Sequence, residues 1–300
     1  MLEVDMLAQA DADRAMREWL YRDPTPRVKL GSDAHKQMFC EMLLATHNPY
    51  KPAVLDWPKL SPETLHRITS LPIWDIAVQT EGRASMAVAT YASTVRDPLL
   101  REALDMDAAE EARHKVVLSK LVQTYEIALA PEPPYPAPKD PEWAWLRTGY
   151  SECIDSFFAF GLFEAANQSG LFPAELVETF EPVIQEEARH ILFFANWVAW
   201  YWRNLRWWKR PWFFLRVVAV WIYLIYERIG IAKGIDAEGA AQDANFAVKA
   251  DDLVGAEISL AKMIDMCLAE NTRRMAGYDA RLLRPTTVPA IARLARRLLK

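Results

Sequence analysis

Five letters occur twice in this chain. Residues 110–114 and residues 186–190 both read Glu-Glu-Ala-Arg-His, in a sequence of 300 residues that holds only five histidines. In each copy the second Glu and the His are three apart, as Glu111 with His114 and Glu187 with His190. On a helix that spacing is just under one turn, so both side chains leave the same face. An imidazole beside a carboxylate suits a borderline cation such as iron or manganese. Two such pairs supply half to two-thirds of a dinuclear site, and further carboxylates must come from other helices. A third pair, Glu63 with His66, has a plainer role. Ser61-Pro62-Glu63 spells a helix start, with a capping hydroxyl, a proline in the first position and an acid at the positive end.

Apolar residues recur at threes and fours nearly throughout, and no strand pattern competes. The pattern predicts helices near 6–21 and 34–46, then an extended arm broken by Pro49, Pro52 and Pro58. Four long segments follow. The first covers 72–95, and the second covers 97–127, opened by Asp97-Pro98. A proline-rich connection at 130–141 cannot be helical. The third segment covers 141–169 and stops at Gly170. The fourth runs to about 202, read as a short helix at 173–179 and a main helix from 181 with Pro182 in its first turn. Further helices are expected near 211–233, 239–277 and 287–299.

These elements say where the missing carboxylates should stand. Glu81 lies 30 residues before Glu111, and the midpoint falls on the turn at 95–98. Two helices folded there put both acids at one height, roughly 20 Å from the turn. Glu164 lies five residues before Ser169, and Glu187 lies five after Pro182. Their heights match if the helix restarts at Pro182. A helix continuous from 173 would misplace them by about nine residues, roughly 13 Å. Glu164 also sits among Phe157, Phe158, Phe160 and Phe163, a costly place for an unpaired carboxylate. Glu152 is the alternative, but it lies more than three turns from Glu164 on a different face.

The order Glu81, Glu111-x-x-His114, Glu164, Glu187-x-x-His190 resembles the ferritin-like di-iron or di-manganese carboxylate superfamily. The resemblance covers residues 72–202. The spelling at 110–114 resembles its acyl-carrier-protein desaturase branch. It implies an all-α, ferritin-like four-helix bundle with additional N- and C-terminal helices. The chain then reads as one helical domain: an extension over 1–70, the bundle over 71–202 and added helices over 203–300. It implies two iron ions, or manganese, held by Glu81, Glu111, His114, Glu164, Glu187 and His190. Bridging, and with it the catalytic position, falls to Glu111 and Glu164. The acid before each ligand pair, Glu110 or Glu186, is expected to accept from the opposite histidine. Arg113 and Arg189 are expected to pair with those acids, and Asp107 is a further candidate behind the metals. Phe157, Phe160 and Gly161 share a face with Glu164 and could line a substrate pocket, although core packing is the more usual role for such residues.

Composition bears on the activity. Glycine-rich phosphate loops and CxxC pairs are absent, and Cys40, Cys153 and Cys267 are far apart. A reduced, cytoplasmic setting fits, because the N-terminus lacks a basic-then-apolar leader. A net charge of −5 disfavours nucleic acid. Three enzyme or storage classes stay open: an O2-dependent oxygenase or oxidase, a ferroxidase, and a peroxide-consuming enzyme. A metal-free helical interaction protein is the fourth. The extra length and the Phe and Trp content favour oxidation of a small apolar substrate. Electrons must then come from outside, from a reductase or ferredoxin. Seven of the 12 tryptophans fall within 197–221, beside Arg203, Arg206, Lys209, Arg210 and Arg216. That stretch reads as helix packing or a homodimer interface first. An anionic partner such as an acyl carrier protein, and a peripheral membrane contact, are the other readings. The apolar run 217–226 is too short to span a bilayer.

Overall fold

The computed structural model describes residues 28–52, 56–71, 73–170, 172–232 and 259–299. Among these residues the structure is helical and holds no strand. Helices α1 (Asp33–Ala45) and α2 (Pro62–Thr69) precede the long elements. These are α3 (Trp74–Thr94), α4 (Pro98–Thr124), α5 (Pro141–Ser169) and α6 (Ala174–Asn204). After them come α7 (Arg210–Ala232), α8 (Leu260–Met275) and α9 (Thr287–Leu298). The helix expected at 6–21, and the part of the 239–277 helix before 259, lie outside the described residues.

The starts are written in side chains. Ser61, Asp97 and Asp140 each accept a hydrogen bond from a backbone N–H in the first turn of α2, α4 and α5, and each is followed by proline. Such caps contribute about 1 kcal/mol apiece. At the far end of α5, Gly170 takes φ 64°, the left-handed conformation that closes a helix at little cost to glycine.

Antiparallel packing follows from the short connections. Helix α3 lies along α4, α5 along α6, and α3 against α5, while α1 rests on α4 and α6. Leu104, Leu146, Phe193, Phe194 and Trp197 are sealed in the shared core. Helix α8 packs on α5 and α6, and α7 and α9 pack on α5.

One expectation fails. No break occurs at 180–182: α6 runs from Ala174 to Asn204 with Pro182 inside it. Proline there leaves the carbonyl of Glu178 without its donor. Glu178 is exposed, so water can take the donor's place. The cost of the proline is offset by the buried face that the uninterrupted helix presents, from Leu176 and Val177 through Trp197.

Candidate metal centre

Continuity of α6 resets the register against α5. Counted from Gly170, Glu187 stands seventeen residues on, Glu152 eighteen residues back and Glu164 only six back. Glu164 therefore lies far below the height of Glu187. Its carboxylate accepts from Gln168 at 2.6 Å, in an exposed setting, and faces the Arg273 side of α8. This corrects the expectation that Glu164 completes the set and bridges two cations. Glu152 reaches the chamber instead, with Oε1 buried and without a hydrogen bond. Ser156, one turn on from Glu152, donates to Glu187 Oε2 at 2.8 Å.

The other expected residues converge. Glu81, Glu111, His114 and Glu187 form one group with ligand atoms close enough to hold a metal ion, and Asp107, Glu111 and His190 form another. Glu111 belongs to both. His114 Nδ1 lies 3.2 Å from Glu187 Oε1 and 3.6 Å from Glu81 Oε2. His190 Nδ1 lies 2.7 Å from Glu111 Oε1. The two imidazoles are 5.6 Å apart between centroids. Glu63 is not among these residues; its highly exposed carboxylate pairs with Arg67.

Behind the histidines stand the paired acids. His114 Nε2 meets Glu186 Oε2 at 2.8 Å, and His190 Nε2 meets Glu110 Oε2 at 2.9 Å. Each acid thus serves the histidine of the opposite copy. Arg189 donates to both oxygens of Glu110, at 2.9 and 3.1 Å, and Arg113 donates to Glu186. Arg189 also reaches Thr46 and the Leu43 carbonyl of α1, while Arg113 reaches the Asn48 carbonyl. His47 Nδ1 lies 2.5 Å from Glu110 Oε1. The segment after α1 therefore closes the outer side of the acid layer.

Burial pushes the Glu111 carboxyl well above its usual range, and the charges on Glu187 and Glu81 push it further. Burial raises Glu152 in the same way, helped by Glu111, Asp107 and Glu187. Asp107 is pushed up to about 6, chiefly by burial, and neither of its oxygens has a hydrogen-bond partner. Burial alone would lower both histidines, yet the carboxylates around them hold each imidazole well above its usual pKa. Burial would likewise raise Glu110, but His190, Arg189 and His47 outweigh it and hold the carboxyl low. Glu187 is also held low, by His114 and His190 against burial.

These residues fit a metal. Both Nδ1 atoms are buried and face the inner carboxylates at 2.7 to 3.6 Å without hydrogen-bond geometry, and Glu152 Oε1 is buried without a hydrogen bond. Buried polar atoms ordinarily have partners. Each Nε2, by contrast, is tied to an acid, the arrangement that fixes a ligating imidazole's tautomer. The buried Glu and His groups could thus hold a metal ion.

The expected pocket residues do other work. A Cβ on Gly161 would come within 2.3 Å of Cys267 Sγ, so this glycine admits α8 and opens no space. Phe157 is sealed against Ile264, Cys267, Val288 and Ala292. Phe160 is buried in the main core, with the Arg274 guanidinium 5.4 Å above its ring. Sequence reasoning also left out His47 and Ser156. His47 carries no local signal, since only the tertiary fold brings its loop to Glu110. Ser156 and Glu152 follow from the height rule once α6 is continuous. In comparisons with family models, curated proteins and solved structures, nothing matches this chain.

Proposed function

We propose that this chain is a ferritin-like di-metal carboxylate oxidoreductase that uses O2 to oxidise a small apolar substrate. The observation that carries the reading is the doubled imidazole arrangement, with each Nε2 on an acid and each Nδ1 turned inward onto the inner carboxylates. Glu81, His114 and Glu187 would hold one ion, Asp107, Glu152 and His190 the other, with Glu111 between them. Oxygen and imidazole donors suit iron or manganese. Two irons bound there would supply electrons for O2 activation, replenished by an external reductase or ferredoxin.

The chain's own residues prepare the site. Glu110 and Glu186 hold the Nε2 protons, so the Nδ1 lone pairs face the chamber. Arg189 donates to Glu110 and Arg113 to Glu186, which fixes the two acids in place. Ser156 orients Glu187 through its Oε2. Glu111 and Glu152, whose carboxyls burial holds well above their usual range, would release protons as cations enter, and Asp107 would do so below pH about 6. Glu81 is the more open edge, with an 18% exposed side chain, while His114 and His190 are sealed.

The test is stopped-flow spectroscopy of the reduced, Fe(II)-loaded protein mixed with O2, with and without apolar substrates. Single-turnover oxidation coupled to an organic product supports the reading. Growth of a mineral core under excess Fe(II) would replace it with iron storage. Turnover of peroxide alone would replace it with a peroxide-consuming enzyme.

A further inference from the structure

Helix α7 is built inside out. A surface helix ordinarily turns its charges to water and its apolar stripe to the core. In α7 the exposed positions include Trp212, Phe214, Leu215, Ile222, Ile225 and Tyr226, with Trp212 66%, Ile222 62% and Tyr226 69% exposed. The charges turn toward the protein. Arg216 pairs with Asp140 and Glu142 of the α5 start, and Arg228 pairs with Asp155 and Glu227. Among the described side chains of α7, only Phe213, Val220 and Leu224 are buried on the inner side. A contiguous apolar surface of this extent marks a binding face.

The rim says what binds. Trp207 and Trp208 are exposed just before α7, and Arg203, Arg206 and Lys209 are exposed beside them. No acid occurs from 203 to 226. Among the described residues, Arg206 and Lys209 pair with no carboxylate; the Arg206 guanidinium lies 5.3 Å over the Trp208 ring. A second basic stripe stands nearby. Trp221 of α7 packs against the same cluster as Val288 and Ala292 of α9. Helix α9 exposes Ile291, Leu294 and Leu298, with Arg293 and Arg297 also exposed.

We infer that the outer face of α7, extended by α9, docks on an anionic lipid bilayer, with its apolar side chains in the interface and its basic rim on the headgroups. Indole rings beside cations are the pattern of side chains that sit at a membrane surface. No described helix is long and apolar enough to cross one, so the contact is peripheral. A second copy is the weaker occupant. A twofold contact through this face sets the same patch against itself, bringing Arg203, Arg206 and Lys209 near their own copies without an acid to answer them. The inference is independent of the metal reading, because it uses none of the chamber's residues.

The test is co-flotation of the metal-loaded full chain with phosphatidylcholine vesicles, with or without phosphatidylglycerol. Tryptophan quenching by brominated lipid is read in parallel. The expected result is binding to the anionic vesicles that falls with added salt. Arg206→Gln with Lys209→Gln should weaken it by roughly thirtyfold, since each cation near such a surface contributes about fivefold. Ile222→Asp with Ile225→Asp should abolish quenching while circular dichroism and metal content stay unchanged. Absence of flotation on anionic vesicles would overturn the inference. So would a solution dimer that Ile222→Asp dissociates, or binding of an acidic carrier protein in place of vesicles.

Discussion

The chamber between α4 and α6 and the outer face of α7 depart from the ordinary arrangement of a soluble protein in opposite directions. In the first, Asp107, Glu111, His114 and His190 are buried almost completely. In the second, Trp212, Ile222 and Tyr226 stand in water. Each departure is expensive alone: buried acids pay for lost hydration, and exposed apolar surface forfeits burial. The difference lies in how far each is compensated from within. The chamber has a partial remedy, in which two arginines donate to the acids behind the histidines while burial holds the Glu111 and Glu152 carboxyls well above their usual range. The α7 face has no such remedy, and its own charges serve to hold it to α5. The first is accordingly a buried donor set that could hold a metal ion. The second is an exposed apolar surface suited to a broad contact.

Breaking the chamber at its shared member should have the largest effect. Glu111→Ala removes the carboxylate common to both groups and should lower metal content and activity by more than about a hundredfold, beyond the range for residues behind a ligand. Elemental analysis and turnover check this together. Next comes the register of α5 on α6. Glu152→Ala should cost at least one ion per chain, while Glu164→Ala should leave the stoichiometry unchanged; the reverse result would restore the broken-helix register. Glu186→Gln and Glu110→Gln each leave a histidine less firmly oriented and should reduce metal affinity by about 10- to 100-fold, measurable by competition with a chelator.

A smaller effect concerns protons in the metal-free protein. The Asp107 carboxyl is raised in the folded state to about 6, against about 4 when unfolded. Its contribution to stability is therefore fully present below pH about 4 and is lost as pH rises through about 6. Asp107→Asn should flatten that part of the Tm-against-pH curve, and metal loading should reverse its slope. The smallest expected change lies at the other region. Without lipid, Ile222→Ser should alter thermal stability by no more than about 0.5 kcal/mol, as for an exposed position.

The sequence made the chamber legible where the signal is local. Glu-x-x-His at helical spacing identifies two faces whatever the fold does, and Asp97-Pro98 fixes the turn that brings Glu81 level with Glu111. The acid–histidine crossings, Glu186 with His114 and Glu110 with His190, also match the expectation drawn from the resemblance. The other half rested on one proline. Pro182 reads as a helix start, because local preference favours that over an interior position. Burial of α6 from Leu176 to Trp197 decides otherwise, and that choice moves the reaching acid from Glu164 to Glu152. The roles of Gly161 and Phe157 depended on α8, whose position against α5 no local pattern specifies. The Trp-rich stretch divides in the same way. Trp197 is sealed in the core, whereas Trp207, Trp208 and Trp212 are exposed, and composition alone cannot separate them.

The central claim is that the inward Nδ1 atoms and the unpartnered carboxylates are a place for two cations. Native mass spectrometry of the protein reconstituted anaerobically with Fe(II) reads this directly. The account predicts two ions bound per chain, falling together in the Glu111→Ala variant. Binding of one ion or none by the unaltered chain, with its helical content intact, would contradict it.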